Sequence, residues 1–272
     1  MPKLPKAKRF IDLSDYGRPA ARVIANFLKE TSLTPIHVTI GFIISGLLAV
    51  GCILNGYFWA AAFFLVLKSI LDAADGELAR LKKTPSYTGR YFDSVSDILL
   101  NFLILLAVWY VTNSNLVYLI IAFLSIELQG TLYNYYYVIL RNRLDGDTTS
   151  RIFEKETPIA IKGEKQKNVN ILFTLYRILY GSFDEAIFLL DRNAAQSEWF
   201  PRWFTTGVSI LGLGFQLLII SVMLILGWAE YIIPFFIFYS ALIFVFIGIR
   251  KYYEFKFINV PKKGYRTKRY SF

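Results

Sequence analysis

The chain has one cysteine, Cys52, and one histidine, His37. The first excludes a disulfide framework and a cysteine-built zinc site; the second excludes any metal centre with two imidazoles. Charge is also scarce. Only 18% of the 272 residues are Asp, Glu, Lys or Arg, against roughly 25% in an average soluble domain. Hydrophobic residues reach 55% and aromatics 17%. Such a composition excludes a disordered chain and argues against a soluble globule. Internal repeats and low-complexity tracts are absent.

What the chain does have is long apolar runs. A bilayer core takes about twenty apolar residues per helix. Val38 to Leu67 carries no charge, and Asn55-Gly56 divides it as a turn. Two spans follow, near Pro35–Leu54 and from Tyr57 to about Arg80. Ile98 to Ile126 is also uncharged and is broken by Asn113-Ser114-Asn115. This predicts a third span near Gly89–Val111 and a fourth near Leu116–Leu140. Phe204–Ala229 and Tyr231–Ile249 supply the fifth and sixth, with a turn around Gly227–Glu230. The expected fold is an all-α integral membrane protein with six transmembrane helices. A signal peptide is not the reading of the first span, because over thirty mostly polar residues precede it.

Cations set the orientation. With the N-terminus in the cytosol, the outside turns contain no Lys or Arg. Of thirty cations, seven precede the first span, four lie in Arg80–Arg90, ten in Arg141–Arg202 and eight from Arg250 onward. Only Lys68 sits well inside a span. This one-sidedness is the positive-inside pattern, with both termini cytosolic in an inner (cytoplasmic) membrane. The net charge of +10 is read as an orientation signal, and nucleic acid is not an expected partner. Ile171–Leu190 is apolar but carries Arg177, Asp184 and Glu185, and a span there would move the basic tail outside. It is expected to lie on the cytosolic face as an amphipathic helix. Pro19–Lys29 reads the same way, with Val23, Ile24, Phe27 and Leu28 on one apolar face. The organisation is then a cytosolic N-terminal segment 1–33, a six-span domain 34–254 with a cytosolic insert 141–202, and a basic tail 255–272.

Four aspartates gather at the ends of spans two and three. Asp72 and Asp75 are spaced i, i+3; Asp93 and Asp97 are spaced i, i+4, so each pair shares a helix face. A short loop lets the faces converge. Four converging carboxylates repel one another and resist desolvation. Divalent cations relieve both problems, and oxygen-only ligands suit Mg²⁺, Mn²⁺ or Ca²⁺. Two such ions about 4 Å apart can clamp a phosphoryl displacement. Gly76 and Gly89 let a bulky ligand approach the backbone, Ala79 continues the small face, and Arg80 suits a phosphate or a base edge.

The run Asp72-x2-Asp75-Gly76-x2-Ala79-Arg80-x8-Gly89-x3-Asp93-x3-Asp97 resembles the signature of the CDP-alcohol phosphotransferase (CDP-alcohol phosphatidyltransferase) family at all eight specified positions. The resemblance implies a membrane transferase of phospholipid biosynthesis that moves a substituted phosphoryl group from a CDP-linked donor to a hydroxyl and releases CMP. It implies two divalent cations, Mg²⁺ or Mn²⁺, held by Asp72, Asp75 and Asp93, with Asp97 touching the second. Asp97 is also the implied base. Gly76, Ala79, Arg80 and Gly89 are the implied nucleotide contacts, with Ser86 beside them. Family members that use CDP-choline or CDP-ethanolamine place polar residues and a His where Leu81 and Ser94 stand, which favours CDP-diacylglycerol as donor. The acceptor is a small polar alcohol: glycerol phosphate, inositol or its phosphate, or serine. Membrane lipids are expected partners, and a homodimer is left open. The alternatives are a CDP-choline or CDP-ethanolamine type transferase acting on a lipid alcohol, and a non-catalytic divalent-cation-binding membrane protein.

Other residues carry weaker expectations. Pro35-Ile36-His37-Val38-Thr39 has Ile36 where the family usually shows Asn, so the chain either does without a polar group near the nucleotide or supplies one from His37. Glu127 and Gln129 sit in span four, where Glu127 pairs with Lys68, caps a packing contact or serves the substrate. Arg141, Arg143 and Arg151 hold anionic headgroups or an acceptor phosphate. Lys262, Lys263, Arg266, Lys268 and Arg269 anchor the tail to headgroups. Tyr133, Tyr135, Tyr136 and Tyr137 read as an interfacial aromatic belt.

Overall fold

Ten α-helices make up almost all of the regular structure among the described residues. The computed structural model describes residues 9–143, 154, 156–197 and 199–259. Helix makes up 82% of it, and no strand occurs among the described residues. The helices are α1 (Arg18–Leu28), α2 (Pro35–Leu54), α3 (Phe58–Lys82), α4 (Tyr87–Thr112), α5 (Leu116–Arg143), α6 (Gln166–Leu190), α7 (Arg202–Val208), α8 (Leu213–Ile225), α9 (Ala229–Tyr239) and α10 (Ala241–Asn259).

Four continuous lengths are long and apolar enough to cross a membrane: α2, α4, α5 and the α9–α10 rod Ala229–Lys256. A fifth length, expected as one helix over Phe204–Ala229, is bent by 54° between Arg202–Leu211 and Leu213–Ile225. The bend coincides with a contact from the N-terminal segment. A short 3-10 turn, Leu13–Asp15, wedges against it. The Leu13 amide donates to Ser209 Oγ at 2.9 Å, and the Gly214 amide donates to Ser14 Oγ at 3.1 Å. A Cβ on Gly214 would lie 1.9 Å from the Ser14 carbonyl oxygen, so only glycine admits this approach. Helix α3 is also long, at 25 residues. Lys68, Asp72, Asp75 and Glu77 lower its apolar character below that of the other four.

The turns fall where the punctuation placed them. Gly56 (φ 75°), Asn113 (φ 49°) and Gly227 (φ 73°) take the left-handed conformation between helices. Away from these turns the helices share a core of Ala49, Ile53, Leu65, Leu105, Val108, Ile126, Leu217 and Phe236. A second core joins α5, α6, α7 and α10 through Tyr136, Ile139, Ile187, Phe204 and Ile247.

Two expectations need correction. The α1 face divides: Ile24 and Leu28 join Ala21 and Ala25 against Ala74 and Leu78 of α3, while Val23 and Phe27 remain exposed. The tyrosine run is not a surface belt. Tyr135, Tyr136 and Tyr137 are buried, and the Tyr133 hydroxyl donates to Asp12 Oδ2 at 2.6 Å. Two of these hydroxyls satisfy carboxylates. Asp191 accepts from the Tyr136 hydroxyl at 2.6 Å and from the buried Arg250 guanidinium through both its oxygens. Arg151 and the tail cations Lys262, Lys263, Arg266, Lys268 and Arg269 lie outside the described residues.

Candidate active site

The site is built where α3 ends and α4 begins. Helix α3 stops at Lys83 in the left-handed conformation, φ 55°. Ser86 then caps α4 by accepting the Gly89 amide at 2.8 Å. This tight connection sets the two acidic faces against each other. Carboxylate oxygens of Asp72, Asp75 and Asp93 all lie within 4.8 Å of one another. Asp93 Oδ1 is buried and has no hydrogen-bond partner. Thr39 of α2 donates to Asp75 Oδ2 at 2.7 Å. Three converging carboxylates, one with an orphaned buried oxygen, are a donor set that fits a hard divalent cation.

Asp97, expected as a fourth metal contact, is not part of this trio. It lies one turn further along α4, and its Oδ1 accepts from Lys68 Nζ at 2.6 Å. Lys68 is fully buried and sits one turn before Asp72 on α3. A buried ammonium demands a carboxylate, and Asp97 is the one that meets it. The Phe42 ring lies 5.0 Å from the same ammonium. Of the roles expected for Glu127, the pairing with Lys68 is not formed, and Glu127 accepts from Asn101 Nδ2 at 2.9 Å. Lys68 and Thr39 are the residues in contact with the motif aspartates that motif reasoning passed over. Lys68 had a signal, as the one cation inside a predicted span, four residues before Asp72. Thr39 had a fainter one, as the last residue of the segment entering the first span.

The four aspartates open into one cavity of about 1290 Å³, which Gly76, Ala79, Arg80, Ser86 and Gly89 also line. Arg80 lies over Gly76, where a Cβ would stand 3.5 Å from the guanidinium. Glu77 steadies Arg80 at 3.3 Å and also takes Arg18 at 3.1 Å and Arg22 at 3.3 Å, tying α1 to the site. Ser86 is committed to the helix cap and donates to Glu164 Oε1 at 2.8 Å. His37 is a cap as well: its Nδ1 accepts the Thr34 amide at 3.1 Å. Ile36 lines the cavity, and His37 is not among its lining residues.

The family model for CDP-alcohol phosphatidyltransferase matches residues 23–247. The chain belongs to this family. The match takes in the aspartate trio, most of the cavity lining and the stretch 141–202. No curated protein matches the chain. Family membership makes the protein a transferase of the CDP-alcohol type acting in phospholipid biosynthesis, and the Asp72, Asp75 and Asp93 cluster is consistent with the family's use of divalent metal.

The insert of this CDP-alcohol phosphatidyltransferase closes one side of the cavity. Helix α6 packs Val169, Phe173 and Tyr176 against Tyr91 and Val95 of α4. Ahead of it, Glu164 reaches the start of α4 and accepts the Thr88 amide at 2.7 Å and the Tyr87 amide at 3.2 Å. Burial alone would raise the Glu164 carboxyl, but the Thr88 amide and the Ser86 hydroxyl outweigh it and hold the carboxyl below its usual range. Glu154 pairs with Arg90 and accepts the Tyr91 hydroxyl. Arg141 lines the cavity with its guanidinium 5.5 Å from the Tyr137 ring, whereas Arg143 turns to the Ala195 carbonyl at 3.0 Å.

Proposed function

We propose that this CDP-alcohol phosphatidyltransferase moves a phosphatidyl group from CDP-diacylglycerol to the hydroxyl of a small polar alcohol and releases CMP. The observation that carries the reading is the meeting of the Asp72, Asp75 and Asp93 trio with the Lys68–Asp97 pair in one cavity. Divalent cations held by the trio, two in the family's pattern and Mg²⁺ or Mn²⁺ by the donor chemistry, would neutralise the pyrophosphate and polarise the phosphorus.

The protein's own groups supply the rest. Lys68 holds Asp97 Oδ1, which leaves Oδ2 for the acceptor hydroxyl. Asp97 takes that proton as the acceptor oxygen bonds to the lipid-bearing phosphorus and the bond to the CMP oxygen breaks. Arg80, Gly76, Ala79 and Gly89 receive the cytidine nucleotide on the side of the cavity where α3 meets α4. Leu81 and Ser94, standing where choline- and ethanolamine-type members of the family place polar residues and a His, favour a lipid-linked donor.

The same reading places six spans in the membrane: α2, α3, α4, α5, the bent α7–α8 pair and the α9–α10 rod. Helix α3 crosses because its charges face the protein interior and the cavity. The cavity faces the cytosol of an inner membrane, and α1 and α6 lie along that surface with Phe27 and Ile178 exposed to it.

The test is reconstitution of the full chain in vesicles with labelled CDP-diacylglycerol, Mg²⁺ and a panel of alcohols. Labelled phospholipid and CMP should form together, and neither should form in EDTA. Product from CDP-choline or CDP-ethanolamine with diacylglycerol, and none from CDP-diacylglycerol, would overturn the donor assignment.

A further inference from the structure

Beyond Asp97 the cavity continues into the helix bundle, and its polar groups there have no part in holding the donor. Asn101 lies one turn past Asp97 on α4 and donates through Nδ2 to Glu127 Oε1 of α5 at 2.9 Å. Gln216 of α8 stands beside them, with 1% of its surface exposed. Its orientation is fixed by two acceptors: Nε2 donates to the Ile126 carbonyl and to Gln129 Oε1, each at 3.1 Å. Gln129 cannot reverse this, because its own Nε2 donates to the Phe236 carbonyl at 3.1 Å. Gln216 Oε1 is therefore the end turned away from these partners, and it is buried with no partner. Asn101, Glu127 and Gln216 all line the cavity that holds the aspartates.

The chemistry of this deep end is one-sided. Glu127 Oε2 and Gln216 Oε1 are acceptors, and the nearest described cation, Lys68, is committed to Asp97. Buried acceptors call for donors, and a carboxylate beside a bound phosphate would repel it. Distance adds a size limit. One helical turn, about 5.4 Å, separates the level of Asp97 from that of Asn101 and Glu127. A molecule that offers a hydroxyl to Asp97 and further donors one turn deeper is no larger than a small polyol or aminoalcohol.

We infer that Asn101, Glu127 and Gln216 form the acceptor subsite, and that it takes a small alcohol rich in hydrogen-bond donors and free of phosphate. The inference rests on the phosphatidyl-transfer reading and narrows it. Polyols and aminoalcohols share the required donors, and Glu127 separates them: an ammonium group gains an ion pair there, while a hydroxyl gains a hydrogen bond.

The experiment uses the full chain in vesicles with labelled CDP-diacylglycerol and two sets of acceptors. One set is inositol, glycerol, serine and ethanolamine; the other is glycerol 3-phosphate and inositol phosphate. Phospholipid should form with a member of the first set and not with the second. Glu127→Gln, which keeps the side-chain shape, should raise the acceptor KM by about tenfold for a polyol, the loss expected for one hydrogen bond to a charged group, and by more for an aminoalcohol. Gln216→Met should also raise the acceptor KM. In both variants the KM for CDP-diacylglycerol should hold, a split that general damage to the fold would not produce. Turnover confined to the phosphorylated alcohols would overturn the inference and leave phosphatidyl transfer standing. So would acceptor and donor KM values that rise together, or an acceptor KM that both variants leave in place. CMP release with no alcohol of either set would remove the transfer reading, and this inference with it.

Discussion

Lys68 Nζ and Asp97 Oδ1 stand 2.6 Å apart between α3 and α4, with the lysine wholly enclosed. Replacing Lys68 with Met leaves a buried carboxylate without its counter-charge, a change that typically costs about 3–5 kcal/mol. Asp97→Asn removes the proton acceptor and should slow turnover by about 10²–10⁴-fold while CDP-diacylglycerol binding persists. The double variant should recover stability relative to Lys68→Met without recovering rate. Thermal unfolding, donor affinity and single-turnover rates of all three variants check this. Equal loss of donor binding in Asp97→Asn and Asp72→Asn would leave Asp97 with no separate role as base.

Thr39 reaches from α2 to Asp75 Oδ2. A partner of this kind orients the carboxylate that holds a metal, and its loss typically costs about 10–100-fold in metal affinity. Thr39→Val should therefore raise the Mg²⁺ concentration needed for half-maximal CMP release by about tenfold or more, and Thr39→Ser should not. A Mg²⁺ titration decides; coincident curves for the valine variant and the parent would show that the hydroxyl is dispensable.

Asp184 gives α6 a pH signature. Burial pushes its carboxyl up to about 6, with Tyr176 and Arg90 pulling it down and Glu154 adding to the rise. An unfolded aspartate titrates near about 3.9, so the folded protein takes up a proton as pH falls from about 6 towards 4. The ionised carboxylate thus destabilises the fold at neutral pH, and acidification relieves that cost. Asp184→Asn should stabilise the protein at pH 8 by up to about 3 kcal/mol. The gain should shrink steadily between pH 6 and pH 4. Unfolding midpoints of both proteins across that range test it, and a gain independent of pH would separate the effect from ionisation.

Orientation can be read chemically. Ser86 is bonded to Gly89 and Glu164, so the exposed neighbour Thr84 is the better labelling position. With Cys52 replaced by Ser, Thr84→Cys and Ser114→Cys should react with an impermeant maleimide from opposite faces of sealed vesicles. Reaction of both from one face would refute the six-span arrangement.

Much of this was legible in the sequence because bilayer helices and carboxylate pairs leave periodic, local signals. Charge-free runs marked α2, α4 and α5; Asn55-Gly56 and Asn113 marked the turns beside them, and Gly227 the turn between α8 and α9. The i, i+3 and i, i+4 aspartates marked the site. The remainder depended on contacts between distant segments. The bend before α8 coincides with Ser14 seated against Gly214, 200 positions away. Tyr136 turned inward because Asp191 and Arg250 are buried together, and nothing local to the tyrosine run announces that. The same holds for Glu164, which caps α4 from the insert, and for Lys68, whose partner lies 29 positions on.

The most direct measurement is metal-dependent CMP release by the parent protein and by Asp72→Asn and Asp93→Asn, each across one Mg²⁺ series in CDP-diacylglycerol vesicles. The Asp72, Asp75 and Asp93 trio should make release vanish in EDTA, return with Mg²⁺ for the parent, and stay absent in both variants at every concentration. Full release in EDTA, or a variant that titrates like the parent, would contradict a metal site at that trio.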